Sequence, residues 1–475
     1  MIFGKSEYKS EKRNSIKAFN KIRGRSKTKY FCHAPFHSLV FSPYGNILAC
    51  FYNKREFLGT YPKDSMHDVW FGEKIKKLRQ HIQHNDLTFG CDDCRRQLRQ
   101  ENYFSVGAWR YDYLAGKEQE YPDSFDFQMS NKCNLQCIMC NGELSDQVRM
   151  NKEMCDPYEN PYDDAFLEQL KVFIPHLKEA SFTGGETFMN PVYFKIWDLF
   201  IELNPGIKVS ITSNCTILND KIKTYLSKLK FNITVSIDAV EENIYKQIRQ
   251  GAHLQKTLEN FEYYLNYTRQ IGTTFNVKVC PMQQNIYHLP DLLKFFNAKN
   301  VTVIFNNVVF PPSCSLWNLS SQKLDEIKTF LSKNRGSGEN VIENENWQRY
   351  DNLINQVVNW HKESVLRENN LSLFNGTSEE LLNTLVTSTN KYIEEVYYYD
   401  DQEKLVKQQY YSEKIRQIFN AIEEDHVRIK SLFYFLNLPL ERFVGEIEFR
   451  DVDKLISRAK QAANNDKDIT WKEIQ

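Results

Sequence analysis

Three cysteines within eight residues constrain this chain more than any other feature of it. Cys133, Cys137 and Cys140 form the pattern C-x3-C-x2-C. Apolar and polar residues alternate just before them, over residues 125–130, which predicts a β-strand that ends where the cysteine loop begins. Thiolates this close together can hold a [4Fe–4S] cubane and leave one of its four irons open for another ligand. A zinc site or buried free thiols are the alternatives, and the spacing after a strand favours the cluster.

Four further cysteines precede that loop, and the pattern around them predicts a closed site. Two short apolar segments, residues 38–41 and 46–49, are joined by a Pro-Tyr-Gly turn and predict a β-hairpin that sets its two flanking cysteines side by side. An amphipathic helix predicted over residues 65–84 returns the chain to a C-x2-C pair. The four thiols are those of Cys32, Cys50, Cys91 and Cys94. Four thiolates suit structural zinc or a fully ligated [4Fe–4S] cluster, and the spacing does not choose between them.

Strand and helix patterns alternate after the three-cysteine loop. Counting the strand before the loop, the chain predicts six strands, at residues 125–130, 179–183, 207–213, 231–238, 275–279 and 301–305. Helices are predicted between them at residues 163–175, 191–204, 219–229, 241–271 and 289–298, the fourth broken near Gly251. This order predicts an α/β fold with a parallel sheet or barrel. Ligand-binding residues of such barrels lie at the carboxyl ends of the strands, and the second strand ends in Gly184-Gly185-Glu186.

The three-cysteine loop after a strand, followed one βα unit later by the Gly-Gly-Glu turn, resembles the radical S-adenosylmethionine (SAM) superfamily. The resemblance implies a partial (β/α)6 TIM barrel with its chemistry at the carboxyl ends of the strands. It also implies that SAM chelates the open iron. Reduction of the cluster then cleaves SAM to methionine and a 5′-deoxyadenosyl radical, which abstracts a hydrogen atom from the substrate. The residue before the last cysteine is usually aromatic in that superfamily and is Met139 here.

The same resemblance implies which residues hold the cofactors, beginning with the three cysteines of the loop as catalytic cluster ligands. Glu186 is the implied acceptor for the amino group of SAM, and Ser236 and Arg249 are the implied contacts of its carboxylate and ribose. An arginine suits a carboxylate because its fork can bind both oxygens. The implied SAM contacts are, in full, Met139, Gly184, Gly185, Glu186, Ser213, Asn214, Ser236, Asp238 and Arg249. Plainer alternatives are helix caps at Ser213 and Asp238 and a solvated side chain at Arg249.

The first cysteine pattern, C-x12-G-x4-C followed by C-x2-C, resembles the twitch domain, a shortened relative of the SPASM domain found beside radical SAM barrels. The resemblance implies one auxiliary [4Fe–4S] cluster bound by Cys32, Cys50, Cys91 and Cys94. Such domains usually follow the barrel, whereas this one precedes it. The auxiliary cluster is expected to accept an electron from the substrate radical, giving a net oxidation, or to keep the substrate pocket in shape.

The chain of 475 residues is long enough for several domains. We expect a basic N-terminal arm at residues 1–29, a twitch-like auxiliary-cluster domain at 30–97, a connector at 98–124, the barrel at 125–320 and a helical region at 346–475. The arm carries ten Lys and Arg residues, which more often marks a solvated tail than a binding site. The helical region shows no catalytic motif and is expected to cap the mouth of the barrel or to bind a partner.

Composition narrows the expected partners and location. The formal net charge is zero, so no global charge attracts nucleic acid or an anionic membrane, and neither is expected as a partner. The chain has no apolar run of about 18 residues that could span a bilayer, and its N-terminus lacks the apolar core of a signal peptide. The expected location is therefore cytoplasmic.

These observations together predict a radical SAM oxidoreductase or modifying enzyme with two clusters, reduced by a protein such as flavodoxin or ferredoxin. The substrate is expected to be a small molecule or a peptide. The candidate groups are a side chain of a peptide or protein and a hydroxyl of a sugar or cyclitol. A non-enzymatic interaction protein stabilised by zinc is the alternative from a different class.

Overall fold

A computed structural model describes residues 15–463, except 25–29, 54–55, 100, 102, 117–118, 309–310, 397–400 and 439. The predicted basic arm therefore lies largely outside the described residues. Residues 15–24 of that segment are described, and residues 15–22 form a helix, α1.

The described strands form one open sheet in the order β3-β2-β1-β4-β5-β6-β7-β8-β9. Their bounds are β1 Ser38–Phe41, β2 Asn46–Leu48, β3 Gly59–Thr60, β4 Ser124–Phe127, β5 Glu179–Phe182, β6 Lys208–Ser213, β7 Phe231–Ser236, β8 Phe275–Val279 and β9 Thr302–Phe305. Strand β4 pairs in parallel with β1 and β5, β5 with β6, and β8 with β9. The β1–β2 and β2–β3 pairs are antiparallel. Because β3 and β9 stand at opposite ends of this order, the sheet is not closed, and β4–β9 are the six strands of the predicted partial barrel.

Helices alternate with the barrel strands as predicted. The helices before β5 are α2 Ala34–His37, α3 Met66–Phe71, α4 Glu73–Gln83, α5 Asp92–Arg99, α6 Asp146–Asn151 and α7 Asp164–Phe173. Those between β5 and β9 are α8 Pro191–Leu203, α9 Asp220–Lys228, α10 Glu242–Ile248, α11 Leu254–Ile271 and α12 Leu289–Asn297. The helices after β9 are α13 Ser321–Lys333, α14 Val341–Ser372, α15 Ser378–Val396, α16 Asp401–Asn420, α17 Asp425–Asn437, α18 Leu440–Phe449 and α19 Val452–Ala463. Turns of 3-10 helix span Tyr103–Ser105, Gly107–Leu114, Ile174–His176, Thr187–Met189 and Ile286–His288.

The prediction of a single helix over residues 65–84 was wrong, since this segment forms two helices, α3 and α4, separated at Gly72. Ser65 caps α3 by accepting a hydrogen bond from the Asp68 amide, 3.1 Å away. Gly72 then has an extended backbone, and a Cβ built on it would stand 2.1 Å from the Asp68 carbonyl oxygen. The glycine thus permits a close approach that ends α3 and begins α4.

The predicted hairpin is present, and its first strand continues the barrel sheet. β1 and β2 pair Val40 with Leu48, while β1 also lies beside β4 with Ser38 opposite Ser124. Parallel pairing of β1 with β4 extends the sheet from the hairpin into the barrel strands. The predicted division at residues 97, 124 and 320 into separate domains remains a prediction.

One face of β1, β4 and β5 is aromatic and packs against α7. The ring of Phe127 on β4 stacks with Phe41 of β1 at 5.3 Å and with Phe182 of β5 at 4.9 Å. The Phe41 ring also meets Phe166 of α7 edge-on at 5.4 Å. Buried aromatic pairs of this kind supply a large share of a core's stability, so these strands are held firmly at their helix-covered face.

The opposite face is polar on β4, β5 and the next strand, β6. The register places Asp126 of β4 beside Ser181 of β5, and Ser181 beside Ser210 of β6. Residues in register share a face, so the three side chains form a polar row across the sheet. The Ser181 hydroxyl donates to the Asp126 carboxylate, and the Arg110 guanidinium lies 3.9 Å from the same carboxylate.

The chain divides into two compact units. The first comprises Met1–Asn134, Asn141–Thr234 and Glu262–Thr274, and the second Leu135–Cys140, Val235–Phe261 and Phe275–Gln475. The first unit contains the hairpin and strands β4–β6, and the second contains β8, β9 and the carboxy-terminal helices.

The region after β9 is helical, as predicted, and its long helix α14 protects the last strand of the sheet. The amide oxygen of Asn346 accepts a hydrogen bond from the Val303 amide of β9 at 2.8 Å, and its Nδ2 donates to the Val301 carbonyl at 2.8 Å. Asn346 is fully buried. One side chain therefore satisfies polar groups that a free strand edge would leave exposed.

Replacing Asn346 with alanine is expected to destabilise the protein by about 1–3 kcal/mol, because the Val303 amide and Val301 carbonyl would stay buried without partners. Urea denaturation followed by circular dichroism measures the change. The matched control is Asn344→Ala on the same helix, where the side chain is exposed and bonds only locally to the Asn340 carbonyl at 2.9 Å. Equal stability of the two variants would contradict the role assigned to Asn346.

No helix among the described residues is both long enough and apolar enough to cross a membrane.

Candidate active site

The start of the three-cysteine loop is tied down by polar contacts. The Cys133 amide donates to Asp146 Oδ1 at 2.9 Å, and the Asp146 amide donates to the Asn131 carbonyl at 2.8 Å. The Asn131 side chain in turn donates to the Gly142 carbonyl at 2.8 Å. Asp146 opens α6, whose N-cap is Ser145. The loop therefore closes on itself through the helix that follows it, which fixes the backbone at Cys133.

The second half of the loop is a tight turn that is hydrogen-bonded to the end of α10 and the residues after it. The Cys140 amide donates to the Cys137 carbonyl at 3.0 Å, which brings the two cysteines of the C-x2-C pair together. The Ile138 amide donates to the Ile248 carbonyl at 3.1 Å, and the Gln136 amide to the Gln250 carbonyl at 2.9 Å. Met139 is half-buried and packs against a cluster formed by Ile248, Met282, Val308 and Cys314.

The Gly-Gly-Glu turn lies directly against the start of the cysteine loop. The Gly185 amide donates to the Ser130 carbonyl at 2.9 Å and the Glu186 amide to the Lys132 carbonyl at 2.8 Å. A Cβ built on Gly185 would stand 2.1 Å from the Lys132 oxygen, and Gly184 has φ +117. Both positions therefore require glycine. Their implied contact with SAM stays a prediction, and the structure shows that they admit the backbone of the cysteine loop.

Glu186 joins the ends of β5 and β6. Its carboxylate accepts hydrogen bonds from the Ser213 hydroxyl at 2.8 Å, the Asn214 amide at 2.7 Å and the Phe188 amide at 3.2 Å. The Asn214 side chain lies with its Nδ2 3.9 Å from Cys133 Sγ and 2.9 Å from the Asn134 side-chain oxygen. The structure thus brings Glu186, Ser213 and Asn214 together with Cys133, as expected for one site.

Asp238 and Arg249 form a buried ion pair beside Cys137. Arg249 Nε donates to Asp238 Oδ2 at 2.7 Å, and its Nη1 lies 3.9 Å from Cys137 Sγ. Burial by itself opposes the charged guanidinium, but the Asp238 carboxylate and then Cys137 outweigh it, so the pKa of Arg249 is raised well above its ordinary value. Ser236, the last residue of β7, is half-buried and precedes Asp238 by two residues in the sequence. The solvated alternative for Arg249 was wrong, because its side chain is 9% exposed.

The four cysteines that precede the barrel surround one cavity. Its lining includes all four thiols, Cys32, Cys50, Cys91 and Cys94, together with apolar side chains such as Phe31, Ala34, Leu78, Ile82 and Ala108. Gly90, just before Cys91, has φ +72, and a Cβ there would stand 2.5 Å from the side-chain nitrogen Nδ2 of Asn53. The hairpin end, the C-x2-C helix and an apolar wall therefore converge on this cavity, as predicted.

The chemistry of these thiols fits a metal centre. Burial raises the pKa of Cys32 to about 12, with Cys50 adding to the rise, and raises that of Cys50 to about 11. The pKa values of Cys91 and Cys94 lie well above the ordinary thiol value, again through burial and then through the other thiols. Thiolates so placed lack water and repel one another, so a bound cation must compensate their charge. Four sulfur donors select zinc or an iron–sulfur cluster.

Three residues support the site through contacts that the sequence did not predict. Asp146 holds the Cys133 amide, the Cys280 amide donates to Asp238 Oδ1 at 2.7 Å, and Asn285 Nδ2 donates to the Asp238 carbonyl at 2.9 Å. The Ser145-Asp146 pair, a helix start just after the loop, could have identified the first. No local signal marks the other two, because their contacts join different strand ends.

Comparison with protein families agrees with this geometry. Residues 127–281 match the Radical SAM superfamily, and residues 32–95 match the SPASM family, described as an iron–sulfur cluster-binding domain. The chain carries a radical SAM domain. Such a domain binds a [4Fe–4S] cluster and SAM, and the SPASM domain binds an auxiliary iron–sulfur cluster, so the cofactors of this chain are SAM and both clusters. Its open sheet is accordingly a partial barrel of radical SAM type.

The curated relatives are distant. An uncharacterized protein of Methanocaldococcus jannaschii is 26% identical over 218 residues, which cover 43% of this chain and 69% of that protein. A probable GTP 3′,8-cyclase of the same organism is 23% identical, covering 40% and 59%. A GTP 3′,8-cyclase of Listeria monocytogenes is 23% identical, covering 38% and 53%. The chain thus spans little more than half of the length of these two cyclases.

Solved structures that resemble the chain do so over part of its length. The anSMEcpe structure with bound AdoMet has a TM-score of 0.35 and 19% identity, covering 44% of this chain and 59% of that one. Streptococcus suis SuiB bound to S-adenosylmethionine has a TM-score of 0.31 and 14% identity, covering 58% and 52%.

Proposed function

We propose that this radical SAM enzyme cleaves SAM reductively and uses the 5′-deoxyadenosyl radical to abstract a hydrogen atom from a polar substrate, which it oxidises overall by two electrons. The observation that carries the proposal is that one chain contains both a three-cysteine loop and a separate cavity lined by four cysteines. A cluster with an open iron can bind SAM, and a fully ligated cluster can accept the second electron. The redox partner that supplies the first electron is a flavodoxin or ferredoxin.

In this proposal Cys133, Cys137 and Cys140 bind the SAM cluster, and Cys32, Cys50, Cys91 and Cys94 bind the auxiliary cluster. Glu186 orients the end of β6 through Ser213 and the Asn214 amide. The backbone hydrogen bonds from Gln136 and Ile138 to the end of α10 hold the segment that carries Cys137 and Cys140. Gly184 and Gly185 keep the loop close to β5. Ser236 at the end of β7 remains the proposed contact for SAM.

The polar row on the sheet supports the proposed substrate class. Asp126, Ser181 and Ser210 present a carboxylate and hydroxyls on the face opposite the aromatic layer. Side chains of this kind bind hydroxyl and amide groups rather than an apolar chain. This supports a hydroxyl of a sugar or cyclitol, or a side chain of a peptide or protein, as the group that is oxidised.

Anaerobic reconstitution with iron and sulfide tests the proposal. The expected result is two reduced [4Fe–4S] signals in the electron paramagnetic resonance (EPR) spectrum, of which SAM alters one, and release of 5′-deoxyadenosine when dithionite and SAM are added. Mass spectrometry then screens peptides, sugars, cyclitols and GTP, the last because relatives are named GTP 3′,8-cyclases. Stoichiometric zinc without an EPR signal would instead identify a zinc-stabilised interaction protein.

A further inference from the structure

We propose that Arg249, anchored by Asp238, acts on the thiolate of Cys137 and thereby raises the reduction potential of the SAM-binding cluster. The inference rests on the proposed function, because it takes Cys137 as a ligand of that cluster. It assigns Arg249 to the cluster, whereas the family resemblance assigns it to the carboxylate of SAM. Arg249 is thus a positioning and tuning residue in this chain.

The backbone around Arg249 is tied to the cysteine loop on both sides. Its two neighbours in the chain, Ile248 and Gln250, accept hydrogen bonds from the amides of Ile138 and Gln136 at 3.1 and 2.9 Å. Arg249 itself ends α10, with its amide donating to the Tyr245 carbonyl at 2.7 Å. The Cα of Arg249 is therefore held next to the segment that carries Cys137, whatever its side chain contacts.

The side chain then reaches the sulfur. Arg249 Nη1 lies 3.9 Å from Cys137 Sγ, and the Arg249 side chain is 9% exposed. A guanidinium is charged at any pH that the protein meets. A buried charge with little competing water acts strongly on its neighbours, so the thiolate of Cys137 feels this cation alongside the Asp238 carboxylate.

Asp238 prevents the guanidinium from moving elsewhere. Its Oδ2 accepts from Arg249 Nε at 2.7 Å, and its Oδ1 accepts from the Cys280 amide at 2.7 Å. The Asn285 side chain donates to the Asp238 carbonyl at 2.9 Å, and Asp238 is fully buried. Both carboxylate oxygens are thus engaged by the chain, which leaves Asp238 as an anchor rather than as a contact of SAM.

The direction of the effect follows from charge. Reduction adds one negative charge to a cluster, and hydrogen bonds to its sulfurs favour the reduced form and raise the potential. Loss of the Arg249 charge therefore makes the cluster harder to reduce. The auxiliary cluster is held by other residues, so its potential supplies an internal reference in the same molecule.

The test is an EPR-monitored redox titration of reconstituted, full-length Arg249→Gln beside the wild type, with SAM added at the end to detect its effect on the spectrum. The midpoint potential of the SAM-binding cluster is expected to fall so that the ratio of reduced to oxidised cluster at a fixed potential drops roughly tenfold, which is about 59 mV for one electron. The auxiliary midpoint should not move, and the SAM-induced spectral change should persist. The control is Lys246→Gln, which removes an exposed cation of α10 that pairs with Glu242 at 2.7 Å.

Two results would overturn the inference: a midpoint equal to that of Lys246→Gln, or loss of the SAM-induced change at an unaltered midpoint, which would return Arg249 to SAM. If Arg249→Gln does not assemble the cluster, the midpoint potential of Asp238→Asn is measured instead. This variant removes a negative charge, so the midpoint of the SAM-binding cluster should rise if the Arg249–Asp238 pair acts on the cluster. An unchanged midpoint would refute the inference. A wild-type protein without a SAM-responsive cluster refutes the proposed function itself.

Discussion

Simultaneous replacement of Cys133, Cys137 and Cys140 by alanine is expected to reduce 5′-deoxyadenosine formation to the level of a reaction without protein. The three thiolates are the only ligands proposed for the cluster whose open iron binds SAM, and without them that cluster cannot assemble. Iron should fall from about eight to about four atoms per chain, since one cubane is lost. Liquid chromatography with mass spectrometry measures the nucleoside, and iron analysis with EPR counts the clusters.

The matched control for this variant is Cys155→Ala. Cys155 is half-buried and donates to the Glu153 carbonyl at 3.1 Å, outside both cysteine groups. It should keep the wild-type iron content and the wild-type rate of SAM cleavage. Formation of 5′-deoxyadenosine by the triple variant above background would mean that other residues hold the catalytic cluster.

Replacement of Cys91 by alanine is expected to spare SAM cleavage, which the triple variant loses, and to abolish substrate turnover. The auxiliary cluster loses one of its four ligands, so its EPR signal should change or disappear, but SAM cleavage without substrate should continue. Substrate turnover should be lost, since no fully ligated cluster remains to accept the second electron. The same assays apply, and near-ultraviolet circular dichroism checks that the hairpin domain remains packed.

Cys32→Ala should reproduce the Cys91→Ala result, because both thiols line the same cavity. The triple alanine variant serves as the reciprocal control, since it keeps the auxiliary signal and loses the SAM-responsive one. If Cys91→Ala left both EPR signals unaltered, Cys91 would not be a ligand of the auxiliary cluster. If it lost 5′-deoxyadenosine altogether while keeping the SAM-responsive signal, the auxiliary cluster would be required for cleavage of SAM itself.

Local patterns were sufficient to predict the elements and the cysteine groups. The alternation of strands and helices from β4 to β9 can be recognised within short windows of sequence, because the periods of strand and helix differ. The cysteine spacings are equally local. The prediction of one helix over residues 65–84 was wrong because a single close approach, between Gly72 and the Asp68 carbonyl, interrupts a pattern that is otherwise helical.

The contacts of individual site residues were harder to predict from the sequence. The SAM contacts implied for Glu186 and the two glycines before it stay predictions. The sequence did not predict that the Glu186 carboxylate bonds to Ser213 and to the Asn214 amide across two strand ends, or that the glycines lie against the backbone of the cysteine loop. In each case the partner belongs to another βα unit, and no local pattern specifies which units meet.

The amino-acid sequence by itself determined the α/β class, the two cysteine groups and the chemistry that such groups support, because spacing and periodicity depend on neighbours in the chain. Only the tertiary structure decided that β1 joins the barrel sheet through β4, and that Arg249 reaches Cys137, which is 112 residues away in sequence. Contacts between residues this far apart in sequence form only when distant segments of the chain pack together, and their geometry depends on the whole fold rather than on any one segment.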